Sequence, residues 1–347
     1  MRLRSSQTLV FTRKDDEVVA FNYLSRASFC CSPDLLGLLV SLREWTGPDE
    51  LKTIVPGLTP DASTVTDLIN VTALVEEGSS LAGAEEEFRS NWRWGLPAAL
   101  LHFSLVDREV MSIEAGEDVQ RARIAEVGQP PFYLENEAEA AISLPRSLEH
   151  NDLLKLMARR RTVRDADPAP IALEALSDCL FAGMGITSQT ENCIGRLPLS
   201  MTPSGGARNP YEAFVYARSV EGLEPGFYHY AAVDHTLARL EPGETPLPSD
   251  LLGGQKWADA ASCVVFLCAW FERTMWKYDD ANAYRVVLIE AGHIGQNFML
   301  AATDHGLSAC PTAALNHSEI SRYIPAASTV THSPIYALAL TKPCQLS

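Results

Sequence analysis

Ala261 to Trp270 reads Ala-Ser-Cys-Val-Val-Phe-Leu-Cys-Ala-Trp, ten residues without a charge. So short a run falls well below the roughly 18 apolar residues of a membrane span. It suits a strand buried within a sheet, covered on both faces. A helical pattern follows it from about Ala283 to His305, closed by Gly306, a residue that favours the end of a helix. A buried strand and a long helix in one stretch of chain call for a layered fold.

The 347 residues suggest two domains at roughly 150 residues each. With 46% hydrophobic and 21% charged residues, the composition excludes collagen-like, coiled-coil and wholly disordered chains. Asp and Glu total 44 against 28 Lys and Arg, a formal charge of −16. That balance disfavours a broad electrostatic grip on nucleic acid or anionic membrane, but leaves room for a local basic pocket. The eight cysteines form no CxxC pair and no finger-like spacing with histidine, so no metal site is expected. Most sit in apolar surroundings, as reduced thiols of a cytoplasmic protein do. The start, MRLRSSQTLVFTRKDDE, has no apolar core of a secretory signal.

Residues 1–80 read as a small unit. Gln7–Phe11 and Val18–Phe21 make a hairpin around Arg13-Lys14-Asp15-Asp16. Ser32-Pro33-Asp34 starts a helix expected to run to Trp45, stopped by Gly47-Pro48. Helices over Asp49–Ile54 and Asp61–Glu77 follow, in an arrangement similar to a winged helix. The third helix carries Asp61, Asp67, Glu76 and Glu77 and no Lys or Arg. It would be repelled by phosphates in a DNA groove. A peptide-docking module with a free strand edge, or a fold-stabilising appendage, is the better reading. Glu76–Glu87 reads as a solvated connector, and Gln129–Leu148, with three prolines and a Glu-Ala run, as the approach to a second domain. The 81–150 connector also holds Trp92, Trp94, Leu96, Leu100, Leu101, His102 and Phe103, expected to pack as core, His102 included.

Residues 151–347 hold the chemical signals. Arg159-Arg160-Arg161-Thr162-Val163-Arg164 puts four arginines in six positions, between helices expected at Asp152–Ala158 and Ala172–Met184. Such a cluster offers bidentate donors to a phosphate; a solvated run paired to surface carboxylates is the competing view. Pro203-Ser204-Gly205-Gly206-Ala207-Arg208-Asn209-Pro210 lets backbone approach a flat ligand closely. It is neither GxGxxG nor a Walker loop. Tyr211–Ala217 reads as helix or strand, and Gly222–Tyr230 as a turn leading into an aromatic strand.

Arg160-Arg161-Thr162-Val163-Arg164, the Pro203–Pro210 loop, Gly222–Tyr230, Lys277-Tyr278 and Glu290-Ala291-Gly292-His293-Ile294-Gly295-Gln296-Asn297 occur in that order. Together they resemble the SagB-type branch of the nitroreductase family, which contains FMN-dependent dehydrogenases of azole-modified peptides. The resemblance covers about Asn151 to Ala339. The N-terminal unit is similar to the PqqD-like recognition elements of peptide-modifying enzymes.

The resemblance implies an α+β fold, a mixed sheet wrapped by helices, working as a homodimer around the helix Ala283–Asp304 with FMN at the subunit interface. It implies Arg160 and Thr162 on the phosphate side and Arg164 near the flavin pyrimidine edge, where a cation favours hydride acceptance. It places the Ser204, Gly205, Gly206 and Arg208 loop against the isoalloxazine, and Cys310, Pro311, Thr312 and Ala313 facing flavin N5. Oxidising a thiazoline or oxazoline to an azole removes a proton from Cα and a hydride from Cβ, and Lys277 or Tyr278 is the implied base. At reference values of roughly 10, either would need its pKa shifted. The implied partners are a precursor peptide and a cyclodehydratase. A small-molecule NAD(P)H-dependent flavin oxidoreductase and a catalytically silent scaffold of a peptide-modifying complex are the rival functions.

Overall fold

The computed structural model describes residues 2–54, 62–133, 142, 144–145, 148–240 and 243–344. Much of the Pro- and Glu-Ala-rich approach to the second domain, and Asp61, therefore lie outside the described residues. The chain forms two compact units. The first comprises Met1–Val106, Phe271–Val286 and Ser328–Ser333; the second comprises Asp107–Trp270, Val287–Ala327 and Pro334–Ser347.

In the first unit the chain runs β1 (Leu3–Ser5), β2 (Leu9–Lys14), β3 (Glu17–Asn22), β4 (Ser28–Cys30), α1 (Pro33–Ser41), α2 (Pro48–Ile54), α3 (Ala62–Asn70), β5 (Leu74–Glu76), α4 (Ser80–Asn91) and α5 (Gly95–Leu105). The hairpin and three helices occur in the order read from the sequence, two of the helices shorter than expected, and β2, β3 and β4 form one antiparallel sheet. Ser32 caps α1, its hydroxyl accepting from the Leu35 amide at 3.2 Å.

Three expectations are corrected. The helix expected to reach Trp45 stops at Ser41, because the Leu42 carbonyl accepts from the Ser5 amide at 2.7 Å and Thr46 pairs with Leu3. The helix expected through Glu77 ends at Asn70: Thr72 turns to a positive φ, and Leu74–Glu76 pairs antiparallel with β1. Leu74 and Val75 are buried there, so tertiary pairing outweighs helix propensity. Glu76–Glu87 is no solvated connector either, since α4 begins within it and buries Glu85 to 1% exposure.

Glu85 is a polar hub. It faces the Arg4 guanidinium at 2.6 Å, accepts from the Gln7 amide at 2.9 Å, and also takes the Ser6 hydroxyl. Ser6, Thr8 and Asn22 extend that network. Trp92, Trp94, His102, Phe103, Phe271 and Tyr284 pack as an aromatic cluster, as expected of core, whereas Leu96 and Leu101, also expected there, are exposed. His102 is a satisfied core group: Tyr284 Oη lies 3.0 Å from Nδ1 and the Thr329 carbonyl 2.6 Å from Nε2.

The second unit contains α6 (Ile113–Val127), α7 (Asp152–Arg159), β6 (Ala166–Asp167), α8 (Leu173–Met184), the hairpin β7 (Ile186–Asn192) and β8 (Gly195–Ser200), β9 (Tyr211–Ala217), β10 (Gly226–Ala231), β11 (Thr236–Arg239), α9 (Pro248–Leu251) and β12 (Cys263–Trp270). After α10 (Phe271–Met275), which belongs to the first unit, come α11 (Ala281–Asp304), β13 (Ser308–Thr312), α12 (His317–Tyr323) and β14 (His332–Pro343). The main sheet has the order β11-β10-β9-β12-β14-β13, with β6 paired to β14. Tyr211–Ala217, open to either reading in sequence, is a strand because its neighbours β10 and β12 both hydrogen-bond to it. β12 is buried from Cys263 to Ala269, as its composition requires. Phe214, Tyr216, Phe227, Phe266, Ile320 and Ala339 belong to the core over the sheet.

Among the described residues no helix is long and apolar enough to cross a membrane, and no cluster of three or more His, Cys, Asp or Glu side chains could hold a metal ion. Removing Glu85 leaves the Arg4 charge buried and unpaired. Glu85→Ala should therefore destabilise the first unit by about 3 kcal/mol, read as a lower urea midpoint. An unchanged midpoint would show that the pair contributes nothing net.

Candidate functional site

Two stretches of the second unit gather the residues singled out above. The first joins the arginine segment to β13. Val163 sits between them: its amide donates to Ser308 Oγ at 3.1 Å, and its carbonyl accepts from Ser308 Oγ at 3.2 Å and Cys310 Sγ at 2.9 Å. β13 is an edge strand, paired on one side with β14 through Cys310↔Ala339, Pro311↔Leu338 and Thr312↔Ala337. Ala313 lies just beyond it and is exposed. The structure thus brings Arg160–Arg164 and Cys310–Ala313 together, though they are far apart in sequence.

The four arginines are not equivalent. Arg159 pairs with Asp304 at 3.7 Å. Arg161 turns back and donates to the Ala158 and Arg160 carbonyls, each at 2.7 Å. Arg160 lies 3.5 Å from the Thr162 hydroxyl on the exposed side of the segment. The Arg164 guanidinium stands 5.5 Å from the centre of the Trp257 ring. Burial pushes the Cys310 thiol pKa up; the Ser308 hydrogen bond and the Arg164 charge pull it partly back. The view of the run as a paired surface charge therefore holds for Arg159 alone.

The second stretch is the loop before β9. Gly206, Ala207 and Asn209 all have positive φ, of 66°, 54° and 44°. A glycine suits the first of these, while the other two are strained positions held by their surroundings. The Ala207 amide donates to the Ser204 carbonyl at 3.0 Å, and the Asn209 amide to Ser204 Oγ at 2.8 Å. The Asn209 side chain accepts from Ser200 Oγ at 3.0 Å and donates to the Pro198 carbonyl at 3.1 Å. Arg208 is half-buried in the same loop.

Beneath this loop lies Glu290 on α11, only 5% exposed. Its Oε2 accepts from the Gly205 amide at 3.3 Å, and the Ser204 hydroxyl also hydrogen-bonds to it. Two turns further along α11, Asn297 donates to Thr202 Oγ1 at 3.0 Å, and Thr202 Oγ1 donates to the Gly183 carbonyl at 2.6 Å. Sequence reasoning noticed both residues on the helix without giving either a role. The available signal was a carboxyl and an amide seven residues apart, on the face that carries Ala291, Ile294 and Phe298.

Lys277 and Tyr278 lie in the first unit, on the turn that ends α10, where both amides donate to the Thr274 carbonyl. Lys277 is exposed and Tyr278 half-buried, with the ammonium 5.2 Å from the centre of the phenol ring. The Tyr278 carbonyl accepts from Trp94 Nε1 at 2.9 Å. The two side chains are thus adjacent, as an acid–base pair requires, but the lysine is not buried.

The donor set in the second unit fits a flat anionic cofactor such as FMN. Guanidinium groups and a hydroxyl suit a phosphate, Arg164 offers a cation near Cys310, and the half-buried Gly205 and Gly206 leave no side chain between the loop backbone and a ligand. No metal is required by any of these groups.

Burial raises the Glu290 pKa from an ordinary 4.5 to about 7, although the Ser204 and Gly205 hydrogen bonds work against the rise. Between those pH values the unfolded chain loses this proton and the folded chain keeps it. Stability should therefore fall as pH rises through that window and level off above it. Relative to Glu290→Gln, the native protein should lose roughly 3 kcal/mol over this range, followed by denaturant unfolding at several pH values. Parallel curves for the two proteins would refute the shift.

The nitroreductase family model matches residues 157–340. The chain is 33% identical over 180 residues to MJ1384 of Methanocaldococcus jannaschii, an inferred nitroreductase, covering 52% of this chain and 86% of that protein. It is 34% identical over 122 residues to the trifolitoxin-processing protein TfxB of Rhizobium leguminosarum bv. trifolii, covering 33% of this chain but only 32% of TfxB. A chain of the E. coli microcin synthetase McbBCD complex, with truncated pro-MccB17 bound, shares the fold at a TM-score of 0.51 and 20% identity, covering 79% of this chain and 96% of that one. The chain belongs to the nitroreductase family.

Proposed function

We propose that the chain is an FMN-dependent dehydrogenase that oxidises thiazoline or oxazoline rings in a ribosomally made peptide to azoles. The observation that carries this reading is the adjacent Lys277–Tyr278 pair, in a family member that also has the arginine segment and the glycine loop. Similarity to a trifolitoxin-processing protein, and a fold shared with part of a microcin synthetase, support peptide maturation over small-molecule reduction.

Arg160 and Thr162 would hold the FMN phosphate, Arg164 the pyrimidine edge, and Ser204, Gly205, Gly206 and Arg208 the ring system, with Cys310–Ala313 alongside. Bound there, FMN would supply the two-electron acceptor that ring oxidation needs. Lys277 or Tyr278 would take the Cα proton of the azoline. Arrival of the peptide substrate over the exposed lysine would exclude water from the pair and bring the Cα proton within its reach.

A homodimer is part of this reading. Asn282, Arg285, Ile289, Gly292 and His293 form an exposed stripe at helical spacing on α11, with Ile289 50% exposed and open space around Gly292. A second copy would cover that stripe, while the precursor peptide and a cyclodehydratase would be the other partners. The N-terminal β2-β3-β4 sheet is the surface we assign to peptide docking.

The visible spectrum of the purified protein should show a bound flavin, and a candidate peptide should lose about two mass units per ring oxidised. Rapid bleaching by NADPH with no peptide product would instead favour a small-molecule oxidoreductase, and a colourless protein that still binds a partner enzyme a silent scaffold. Arg160→Ala should weaken FMN binding by about tenfold or more; equal affinity removes the phosphate role. Lys277→Ala should keep FMN yet lose about a hundredfold in turnover. Turnover at the parental rate would exclude Lys277 as the base.

A further inference from the structure

Among the described residues, the carboxyl of Glu290 hydrogen-bonds the loop assigned to the flavin, and no step of the proposed oxidation uses it. It lies on the buried side of α11, opposite the exposed stripe that contains Gly292 and His293. From there it reaches two successive loop residues, the Ser204 hydroxyl and the Gly205 amide. Ser204 passes the constraint on, because its oxygen accepts from the Asn209 amide while its carbonyl accepts from Ala207. The amides of Gly205, Ala207 and Asn209 are thus all turned inward. Gly206, at φ 66°, is the bend between the first two. Asn297 holds the preceding segment through Thr202. One face of one helix therefore holds the start of the loop from two positions two turns apart.

We propose that Glu290 is a positioning residue for the cofactor, fixing the Ser204–Gly206 backbone in the shape that meets the flavin ring. The inference rests on the flavin reading above and adds a residue to it. Glu290 acts through the loop and is not itself a ligand. In its ionised form it is an acceptor only, so both loop donors make charge-assisted bonds to it. When it is neutral those bonds weaken, and the loop is held less firmly. The other charged and titratable groups on the elements packed around it are Arg208 on the loop, Tyr284, Arg285, His293 and Asp304 on α11, Glu174, Asp178 and Cys179 on α8, Tyr211, Glu212 and Tyr216 on β9, and His332, Tyr336 and Lys342 on β14. None of them contributes to its shift, which comes from burial opposed by two hydrogen bonds. The expected midpoint therefore belongs to Glu290 and lies at about pH 7.

The test uses the full-length protein freed of cofactor, titrated with FMN and followed by flavin fluorescence at pH 6 and pH 8. The native protein should bind about tenfold more tightly at pH 8 than at pH 6, measured relative to Glu290→Gln. Referring to that variant removes the titration of the FMN phosphate itself, which both proteins share. Glu290→Gln keeps an acceptor for the Gly205 amide, so at pH 6 it should match the native protein. Glu290→Ala should bind weakly at both pH values and alter the visible spectrum of the bound flavin. If Glu290→Ala does not fold, the native and Gln proteins decide the matter alone. Equal affinities and equal pH profiles, with FMN bound by all, would overturn the positioning role and leave the flavin reading standing. Failure of the native protein to bind FMN at any pH would instead overturn the flavin reading, and this inference with it.

Discussion

A strand buried along nearly its whole length has to hydrogen-bond on both edges, because unpaired backbone groups away from water are costly. β12 meets that demand with β9 on one side and β14 on the other. The consequences reach the candidate site directly. The amide of Trp270, at the end of β12, donates to the Pro210 carbonyl at 2.7 Å, which anchors the point where the Ser204–Pro210 loop becomes β9. On the other side β14 carries β13, and β13 carries the arginine segment through Val163. One apolar strand thereby sets where both stretches of the candidate site begin.

Polar chemistry is added to this frame sparingly. Each buried polar side chain at the site has a defined job: Ser308 ties Val163, Thr202 links Asn297 to Gly183, and Glu290 holds Ser204 and Gly205. In a region of low dielectric such bonds gain strength, and a carboxyl left there resists ionisation. The same reasoning separates the arginines. Two are satisfied locally, by Asp304 and by backbone carbonyls, while the Arg160 guanidinium lies beside Thr162 Oγ1 and that of Arg164 over the Trp257 ring.

The N-terminal unit shows the opposite economy. Its helices are short, and its order depends on pairing between distant segments: β1 with β5, Thr46 with Leu3, and Glu85 with Arg4. Local signals there mislead wherever a distant strand competes for the backbone. Leu74–Glu76 has helical neighbours and a helical composition, yet the edge of β1 takes it. Glu85 stands in a Glu-rich stretch that looks solvated, yet a buried arginine brought from the chain start draws it inside.

Strong periodicity was readable without coordinates. The apolar β12, the long α11 with its closing glycine, the capped start of α1 and the aromatic core around Trp92 and Trp94 all follow from composition and spacing, because burial of that much apolar surface leaves few alternatives. The ordered motifs also pointed to the nitroreductase family. What the chain order could not reveal was adjacency: that Val163 would meet Cys310, that Arg161 would fold back while Arg160 would not, and that Glu290 would lie under Gly205. The first and the last depend on contacts between residues 147 and 85 positions apart, and on hydrogen bonds whose worth appears only once water has been excluded around them.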